Sequence, residues 1–418
     1  MACGARTGTG TGTGGDQKAA TTSGPVTIYW SAWGAGERID QYKGQAERFT
    51  KVNPNIKVEF VAQSSSDYNV QITSLLASNT QLDVARLDGY FIAGYVANKS
   101  IVQLDSLMSG DKSFKKSDYL DGVFLDHHQV FDGKTFAMPS GDSPRVLFYN
   151  TAVYKSAGAA DPNELETRGL WTWDAHLAAL RQISKGAGAD KVWGTRAYLG
   201  GAELWPWIRM NGGRVLSQDL KTVQIDQPDA VSALQWQIDL IQRHQVAPGP
   251  GQEPPSAFTT GKLASFVSGN WEAQQWKLTG FKDFSVAPLP KGSKGRFTAF
   301  KPNGMTMPTT VKHKDQAWKL MRYLVDDLEK EYIDSGIFMN FRKDNTEHFT
   351  KAYPGPNAKW FVEPFAKKEV VPVDVTRVWT DMRKIMDTEL AAARDGQKSV
   401  KDATAEIKRQ VDPLLKQA

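Results

Sequence analysis

The segment of residues 26–60 restricts the fold of this chain more than any other feature. Residues 26–30 are rich in β-branched and aromatic side chains and predict a strand, and residues 56–60 alternate strictly and predict a second strand. Between them, apolar residues recur with helical spacing until Asn53-Pro54 ends the pattern. A strand, a helix and a strand in so short a segment form a right-handed βαβ unit, which predicts an α/β protein with a substantially parallel sheet.

Similar patterns continue along the chain. Strands are predicted at residues 83–87 and 145–149, and Asp132-Gly133 predicts a hairpin turn between two short apolar segments. Thr172 is placed to cap a helix that reaches residue 183. Further apolar stripes, which we interpret as core-facing surfaces, predict helices near residues 68–78, 231–241, 317–328 and 400–414.

Length and charge bound the class of protein. The 418 residues predict two domains or three, and the 40% hydrophobic content is enough for more than one core. No apolar run approaches the roughly 18–20 residues that a membrane-spanning helix needs. The net charge of +5 is small, and the basic residues are mixed with acids instead of forming a stripe, so nucleic acid is not an expected partner.

Aromatic side chains are more abundant than a core of this size needs. The chain contains 13 Trp, 12 Tyr and 19 Phe. A flat apolar ring with a polar edge suits the C–H face of a pyranose, whose hydroxyls point outward. The composition therefore favours carbohydrate contact without locating it.

Cys3 is the only cysteine, which excludes an intramolecular disulfide and a cysteine-based metal site. Residues 7–22 are rich in Thr and Gly, cannot bury a core and are expected to be flexible. Bacterial lipoproteins carry lipid on a cysteine at such a position once a signal peptide is removed. We therefore interpret residues 1–25 as a disordered tether, Cys3 as a lipid anchor and Met1-Ala2 as a trimmed start. The alternative is an expression leader with an incidental cysteine.

The sequence lacks the signatures of catalysis. Gly133-Lys134-Thr135 is like the end of a phosphate-binding loop, but His128 occupies the position that requires glycine. His127 is adjacent to His128, so the two rings point in different directions, which disfavours a shared metal ion. No nucleophile-elbow motif occurs, and carboxylate pairs cannot be recognised from sequence alone. We predict no catalytic residue, no metal and no cofactor.

Several different short sequence patterns follow one another between residue 26 and the C-terminus. The patterns are Trp30-Ser31-Ala32-Trp33-Gly34, Asn53-Pro54, Leu82-Asp83-Val84, the stretch from Tyr95 to Leu104, the stretch from Asp132 to Pro139, Phe148-Tyr149-Asn150, Trp171-Thr172-Trp173-Asp174 and, most specifically, the stretch from Phe258 to Ala264 followed by Gly269-Asn270-Trp271. In this order they resemble the extracellular solute-binding proteins of ABC carbohydrate importers, the maltose-binding-protein-like family 1. Leu82 and Ser100 depart from the proline and glycine of the family pattern.

The resemblance implies a two-lobed periplasmic-binding-protein fold of the α/β class, with mixed, mainly parallel sheets flanked by helices and a ligand cleft between the lobes. Chain crossings are expected near residues 138–142, 296–302 and 338–345. The N-terminal lobe would combine residues 26–139 with 302–340, and the C-terminal lobe residues 140–301 with 341–418.

The function implied by the resemblance is that of an extracytoplasmic, membrane-tethered subunit. It would close on a mono- or oligosaccharide and deliver it unaltered to the membrane subunits of an ABC permease, and a monomer is expected. The expected ligand-binding residues are Trp33, Gln63, Asp88, Tyr90, Asp142, Arg145, Trp205, Trp207, Trp271, Asn303 and Arg342.

Alternatives remain open at the level of residues and of function. Asp142 and Arg145 are alternatively a structural ion pair, and Trp205 and Trp207 alternatively pack in the core. A secreted carbohydrate-active enzyme would also use a Trp-lined cleft, and it predicts cleavage of oligosaccharides. A binding protein for a non-sugar solute, such as a polyamine, a peptide or a phosphorylated glycerol, predicts clustered like charges that the candidate loops do not show clearly.

Overall fold

The computed structural model describes residues 24–34, 36–63, 67–327, 339 and 341–417, so Cys3 and residues 1–23 of the predicted tether lie outside the described residues. The strands are β1 (Val26–Trp33), β2 (Ile56–Gln63), β3 (Val84–Leu87), β4 (Val130–Phe131), β5 (Lys134–Thr135), β6 (Ala137–Ser140), β7 (Val146–Asn150), β8 (Ser265–Ser268), β9 (Phe284–Ala287), β10 (Thr298–Phe300), β11 (Asn303–Thr306) and β12 (Val370–Pro372). The helices are α1 (Glu37–Val52), α2 (Tyr68–Ala77), α3 (Ile92–Ala97), α4 (Asp105–Gly110), α5 (Thr151–Ala157), α6 (Pro162–Thr167), α7 (Trp173–Ile183), α8 (Leu204–Met210), α9 (Pro228–Gln242), α10 (Glu272–Thr279), α11 (Lys314–Arg322), α12 (Thr346–Ala352), α13 (Glu363–Ala366), α14 (Trp379–Arg394) and α15 (Val400–Gln417).

The first sheet has five strands in the order β2-β1-β3-β11-β6. β1 is parallel to both β2 and β3, which confirms the predicted βαβ unit. β11 is antiparallel to β3 and to β6, so the sheet is mixed. Because β11 comes late in the chain, the first sheet is completed only after the chain has returned from the second.

The second sheet has three strands in the order β8-β7-β9. β7 is antiparallel to both neighbours. β8 and β9, which α10 connects, are consequently parallel to each other with β7 between them. The sequence favours mainly parallel sheets, but the insertion of β7 into this crossover unit makes each neighbouring pair here antiparallel.

Two short segments connect the first sheet to the other half of the fold. β6 ends at Ser140 in the first sheet and β7 begins at Val146 in the second. Lys301 and Pro302 lead from β10, which forms a separate two-stranded parallel sheet with β12, into β11 of the first sheet. A bridge between Asp142 and Met339 places the first connection next to the segment that precedes α12.

Local signals that the sequence predicts are confirmed at several element ends. Asn53 follows α1 and its side-chain amide donates to the Phe49 carbonyl at 3.0 Å. The Thr172 hydroxyl accepts the Ala175 backbone N–H at 3.3 Å and caps α7. Asp132 and Gly133 both have positive φ, 50° and 73°, as a two-residue hairpin turn requires. No helix in the described part of the chain is long and apolar enough to cross a membrane.

One helix is shorter than the apolar pattern at residues 317–328 predicts. α11 ends at Arg322, and residues 323–327 form a π-helical turn in place of the continuous helix expected to residue 328. Within this turn the Asp326 carboxylate accepts hydrogen bonds from the Arg322 guanidinium, at 2.5 Å, and from the Tyr119 hydroxyl. These hydrogen bonds hold the Asp326 side chain in the orientation that the π-helical turn gives it.

Candidate ligand-binding site at the junction of the two sheets

Three of the predicted residues lie at the carboxyl edge of the first sheet. Trp33 and Gln63 end β1 and β2 and are paired in the parallel register. Asp88 follows the last residue of β3, the other neighbour of β1. This edge is where open α/β sheets bind ligands, since the loops that follow the strands diverge there.

Trp33 packs against an arginine that the sequence did not single out. The Arg86 Cζ atom lies 4.5 Å from the centroid of the Trp33 ring, a cation–π contact. Arg86 is buried and donates hydrogen bonds to the Tyr42 hydroxyl and the Gly141 carbonyl, both at 3.2 Å. Because Gly141 lies between β6 and β7, Arg86 connects the Trp33 edge to the chain segment that leads into the second sheet.

Asp88 pairs with a buried lysine at the second connection. The Lys301 Nζ atom lies 2.7 Å from Asp88 Oδ1 and donates to Asn303 Oδ1 at 3.2 Å. The Asn303 amide in turn donates to the Gly141 carbonyl at 2.5 Å. Lys301 is only 5% exposed, so it is largely removed from water and relies on these partners. The predicted residues Asp88 and Asn303 are thus brought together by Lys301.

Asp142 and Arg145 form a buried ion pair that extends to Glu203. The Arg145 guanidinium donates to Asp142 Oδ1 at 2.9 Å and to Glu203 Oε1 at 2.8 Å. The second oxygen of Asp142 accepts the Lys301 backbone N–H at 2.9 Å. Burial opposes the charge on Arg145, but Asp142 and Glu203 outweigh it and raise the pKa of Arg145 above its ordinary value. Arg145 therefore remains a fixed cation.

These hydrogen-bonded side chains make one continuous group, which we call the junction network. It consists of Asp88, Asp142, Arg145, Glu203, Lys301 and Asn303. The network runs from the edge of the first sheet, through both connections, to the start of α8. Each of its three carboxylates is bonded to one of its two cations, Arg145 or Lys301.

Trp271 lies against the junction network. The Arg145 Cζ atom is 4.8 Å from the centroid of its ring, and the indole Nε1 donates to Glu272 Oε1 at 3.2 Å. A Cβ atom at Gly269 would lie 2.0 Å from Cζ3 of the same ring, so only glycine leaves room for it. This contact gives a physical reason for the Gly-x-Trp pattern at residues 269–271.

Tyr90 and Trp379 join the two halves of the fold. Their rings are stacked, with centroids 4.4 Å apart and planes 6° apart. The Lys301 Nζ atom lies 4.3 Å from the centroid of Tyr90, and burial raises the pKa of the Tyr90 hydroxyl above its ordinary value. Both rings line a cavity of about 340 Å³, the inner cavity, together with Asn69, Tyr95 and Arg377.

Trp205 and Trp207 lie deeper than the site. Trp205 is 1% exposed and packs against Trp379, with ring centroids 5.7 Å apart. Trp207 is 2% exposed and packs with Trp173 and Trp236 at 5.6 and 5.1 Å. The alternative that the sequence left open, packing in the core, is the arrangement found. We do not retain Trp207 as a ligand-binding candidate, whereas Trp205 supports Trp379 from within.

Arg342 lies in a separate cluster of carboxylates. Its guanidinium donates to Asp344 at 3.1 and 2.9 Å and lies 3.7 Å from Asp118 and 3.9 Å from Asp326. The hydrogen bond that Arg342 donates to Asp344 is the largest of the causes that raise the pKa of Arg342 above its ordinary value. The structure therefore places Arg342 in a local ion-pair cluster and not with the junction network.

Sequence reasoning missed four residues of the site. They are Arg86, Glu203, Lys301 and Trp379. Lys301 is two residues from the predicted Asn303, and Trp379 begins a helix whose next two turns on the same face carry Arg383 and Asp387. A tryptophan at the start of a polar helical face was the one available signal. Glu203 and Arg86 gave none, because their roles depend on distant partners.

The described residues contain no group of three or more His, Cys, Asp or Glu side chains arranged to hold a metal ion. The carboxylates of the junction network are instead bonded to Arg145 and Lys301. The site therefore offers aromatic surfaces and paired charges as its chemistry.

Two sheets joined by short connections, with polar and aromatic side chains from both halves meeting between them, define a two-lobed periplasmic-binding-protein fold. The chain belongs to the family of bacterial extracellular solute-binding proteins, whose family profile matches residues 35–328. The family and the fold predicted from the sequence are thus confirmed.

Relatives and solved structures agree with this assignment. An uncharacterized ABC transporter extracellular-binding protein of Pyrococcus horikoshii is 22% identical over 342 residues, which cover 75% of this chain and 73% of the relative. An ABC substrate-binding protein of Listeria monocytogenes, solved in complex with cycloalternan, has a TM-score of 0.83 at 23% identity, over 94% of this chain and 99% of its own. The GacH receptor of Streptomyces glaucescens, solved unliganded and with acarbose, has a TM-score of 0.76 at 21% identity, over 93% and 98%. A solute-binding protein of Thermotoga lettingae, bound with α-D-tagatose, has a TM-score of 0.79 at 18% identity, over 94% and 100%.

Proposed function

We propose that this protein is the extracytoplasmic receptor of an ABC importer, which holds a neutral saccharide between its lobes and hands it unaltered to the permease. The observation that carries the proposal is the junction network. Its carboxylates Asp88, Asp142 and Glu203 are bonded to Lys301 and Arg145, and aromatic rings lie beside it. Together with the buried Arg86 beside the network, three cations balance three carboxylates, so the site has no excess formal charge with which to select an ionic solute.

Paired charges suit sugar hydroxyls for a second reason. A carboxylate bonded to one cation keeps lone pairs free to accept, and a guanidinium bonded to one carboxylate keeps N–H groups to donate. A sugar hydroxyl needs both a donor and an acceptor, and leaving one unpaired in a closed site costs roughly 1–3 kcal/mol. The aromatic walls exclude water and contact the C–H faces of the ring.

The lobes are proposed to be those that the sequence predicts: residues 26–139 with 302–340, and residues 140–301 with 341–418. The junction network then lies where the lobes meet, with Asp88 and Asn303 from one lobe and Arg145 and Glu203 from the other. A ligand that contacts both lobes favours the closed arrangement, because only that arrangement lets it make all its contacts.

Known ligands of proteins with this fold agree with a saccharide. The Listeria monocytogenes protein was solved with cycloalternan and the GacH receptor with acarbose, whereas the Thermotoga lettingae protein holds α-D-tagatose. The ligand-binding residues that we propose are Trp33, Gln63, Asp88, Tyr90, Asp142, Arg145, Trp271, Asn303 and, in addition, Arg86, Glu203, Lys301 and Trp379.

The attachment to the membrane is a further part of the proposal. Residues 1–25 would form a tether, and Cys3 would carry the lipid that keeps the receptor near its permease. Mass spectrometry of the protein from membranes of a host that processes lipoproteins tests this directly. A diacylated N-terminal peptide that begins at Cys3 supports the anchor, and an unmodified Cys3 in membrane-purified protein contradicts it.

A thermal-shift screen tests the function. The purified chain is heated with saccharides of one to four rings and, as controls, with spermidine, a tripeptide and glycerol phosphate. A ligand present at 100 times its Kd stabilises the folded state by about 2.7 kcal/mol, which raises the Tm measurably. Chromatography of the sugar after incubation must return it uncleaved. A shift with a control solute alone, or cleavage of the sugar, contradicts the proposal.

A further inference from the structure

A second groove lies on the C-terminal part of the fold, outside the inner cavity. It comprises two neighbouring cavities of about 540 and 590 Å³ that share Arg196 and Glu253. Gly200 and Arg383 line the first, and Phe281 and Glu272 line the second. We call these two cavities together the outer groove.

The outer groove begins where the candidate site ends. Glu272, in its wall, accepts the hydrogen bond of the Trp271 indole, and Trp271 lies against Arg145 of the junction network. On the other side, Arg383 follows Trp379 by one turn of α14. The groove therefore lies next to both aromatic ends of the site, one residue from Trp271 and one helical turn from Trp379.

Its chemistry repeats that of the site. The Arg196 guanidinium forms a two-pronged pair with Glu253, at 2.9 and 2.5 Å, and its Cζ atom lies 4.7 Å from the ring centroid of Phe266. Arg383 pairs with Asp387 at 2.9 and 2.8 Å. Phe281 is only partly buried, with its centroid 5.7 Å from that of Trp276, and presents an apolar surface to the groove.

We infer that the outer groove holds the rings of a neutral oligosaccharide that extend beyond the interlobe cleft, with Phe281 as an apolar platform and the Arg196–Glu253 pair as a hydroxyl partner. The inference rests on the proposed function and narrows its ligand to a saccharide of three or more rings. Internally paired charges disfavour a charged extension, and the combined space is far larger than one ring needs.

The position of the groove has a consequence for the mechanism. All described residues that line either cavity of the groove fall within residues 196–281 and 383–394. Both ranges lie in the C-terminal lobe as proposed. Rings bound there contact one lobe only and keep these contacts whether the lobes are open or closed. A contact that is equal in two states shifts no population between them. The outer groove therefore adds affinity and length selectivity without driving closure.

Calorimetric titration with glucose, maltose, maltotriose, maltotetraose, acarbose and cycloalternan tests the inference. The tightest ligand is expected to have at least three rings. Phe281→Ala is expected to weaken it about fivefold, the effect of one lost aromatic contact, and to leave the Kd of the shortest binding saccharide unchanged. Thr259→Trp adds a large side chain to the groove at a partly exposed position, so it blocks the groove without removing a side chain from the interior. It is also expected to weaken binding of the tightest ligand.

Phe297→Ala is the matched control, since Phe297 is partly buried in the same half of the fold but packs beside Trp207. It should leave all affinities unchanged. Small-angle scattering should show the same change in radius of gyration with the shortest and the longest ligand. A mono- or disaccharide as the tightest ligand, or an oligosaccharide Kd that neither groove variant changes, overturns the inference while leaving the proposed function intact. Absence of binding by every saccharide contradicts the proposed function itself, and the inference with it.

Discussion

Lys301 lies against the face of Tyr90, with its Nζ atom 4.3 Å from the ring centroid and 2.7 Å from Asp88. Arg145 has the same relationship to Trp271, at 4.8 Å. Each of these cations is thus shared between a carboxylate and an aromatic ring. The rings are held in fixed orientations before a ligand arrives, which lowers the entropy cost of binding.

Trp379→Leu should weaken binding of the tightest saccharide about tenfold. Leucine keeps much of the apolar volume against Trp205 but removes the flat surface that lines the inner cavity. Calorimetric titration measures the change. Trp193→Leu is the control, because Trp193 is a partly buried tryptophan that packs near Leu263 and away from the junction. Equal losses in both variants would contradict a role for Trp379 in the site.

Gly269→Ala should reduce the free energy of unfolding by about 2 kcal/mol, the cost of overpacking. The added Cβ would lie 2.0 Å from the Trp271 ring, which must move away from Arg145. Urea denaturation measures the loss, and saccharide affinity should fall with it. Gly110→Ala is the control, since nothing lies within 4 Å of its Cβ position.

A double variant makes the test of Gly269 specific. If the clash with the indole is the cause, Gly269→Ala should cost little stability when Trp271 is already Ala. A cost that persists in the double variant would show that the backbone, and not Trp271, requires glycine.

Asp142→Ala should reduce the free energy of unfolding by about 3 kcal/mol, because it leaves the buried Arg145 with one partner fewer. Asp344→Ala removes a partner of Arg342 whose own side chain is 61% exposed, so its effect should be below about 1 kcal/mol. Denaturant titration of both proteins compares the two. Similar small losses would show that the junction network is not a rigid element.

Stability should fall as the pH drops from about 6.5 to about 4. His128 is buried, its Nε2 atom lies 3.0 Å from the Val373 carbonyl, and burial lowers its pKa from 6.5 to about 4. Between these values the unfolded chain binds a proton that the folded chain excludes, so protonation favours unfolding. The effect amounts to about 3 kcal/mol. Burial lowers the pKa of His176 in the same direction, to about 3, so it contributes to the same slope.

Denaturation curves at pH 7, 5.5 and 4.5 test the assignment of this slope. His128→Gln keeps a side-chain N–H for Val373 but does not titrate, so the slope should decrease. His127→Asn, at the exposed neighbouring position, should leave it unchanged. If the pH dependence of stability is as steep in His128→Gln as in the unchanged protein, a group other than His128 causes it.

Short-range sequence patterns predict much of the fold. The βαβ unit, the Thr172 cap and the hairpin at Asp132-Gly133 depend on residues close in the chain, and each is confirmed. The antiparallel pairing of β7 with β8 and β9 depends on strands that come together from distant segments, which no local pattern specifies.

In the site, too, features that depend on nearby residues are predicted and features that depend on distant residues are not. The positions of Trp33 and Asp88 follow from strand ends, whereas the pairing of Arg145 with Glu203 joins residues that only the fold brings together. Composition does not distinguish Trp207 from Trp271, but Trp207 lies in an aromatic core and Trp271 lies beside a buried arginine. Composition identifies an excess of tryptophan without assigning each one to core or site.

A crystal structure of the protein with the saccharide that most raises its Tm tests the central claim most directly. We predict an intact sugar between the two sheets, in contact with side chains from both lobes and hydrogen-bonded to the Asp88–Lys301 and Arg145–Glu203 pairs. A sugar bound to one lobe alone, away from these pairs, or a cleaved product in the site, would contradict the account.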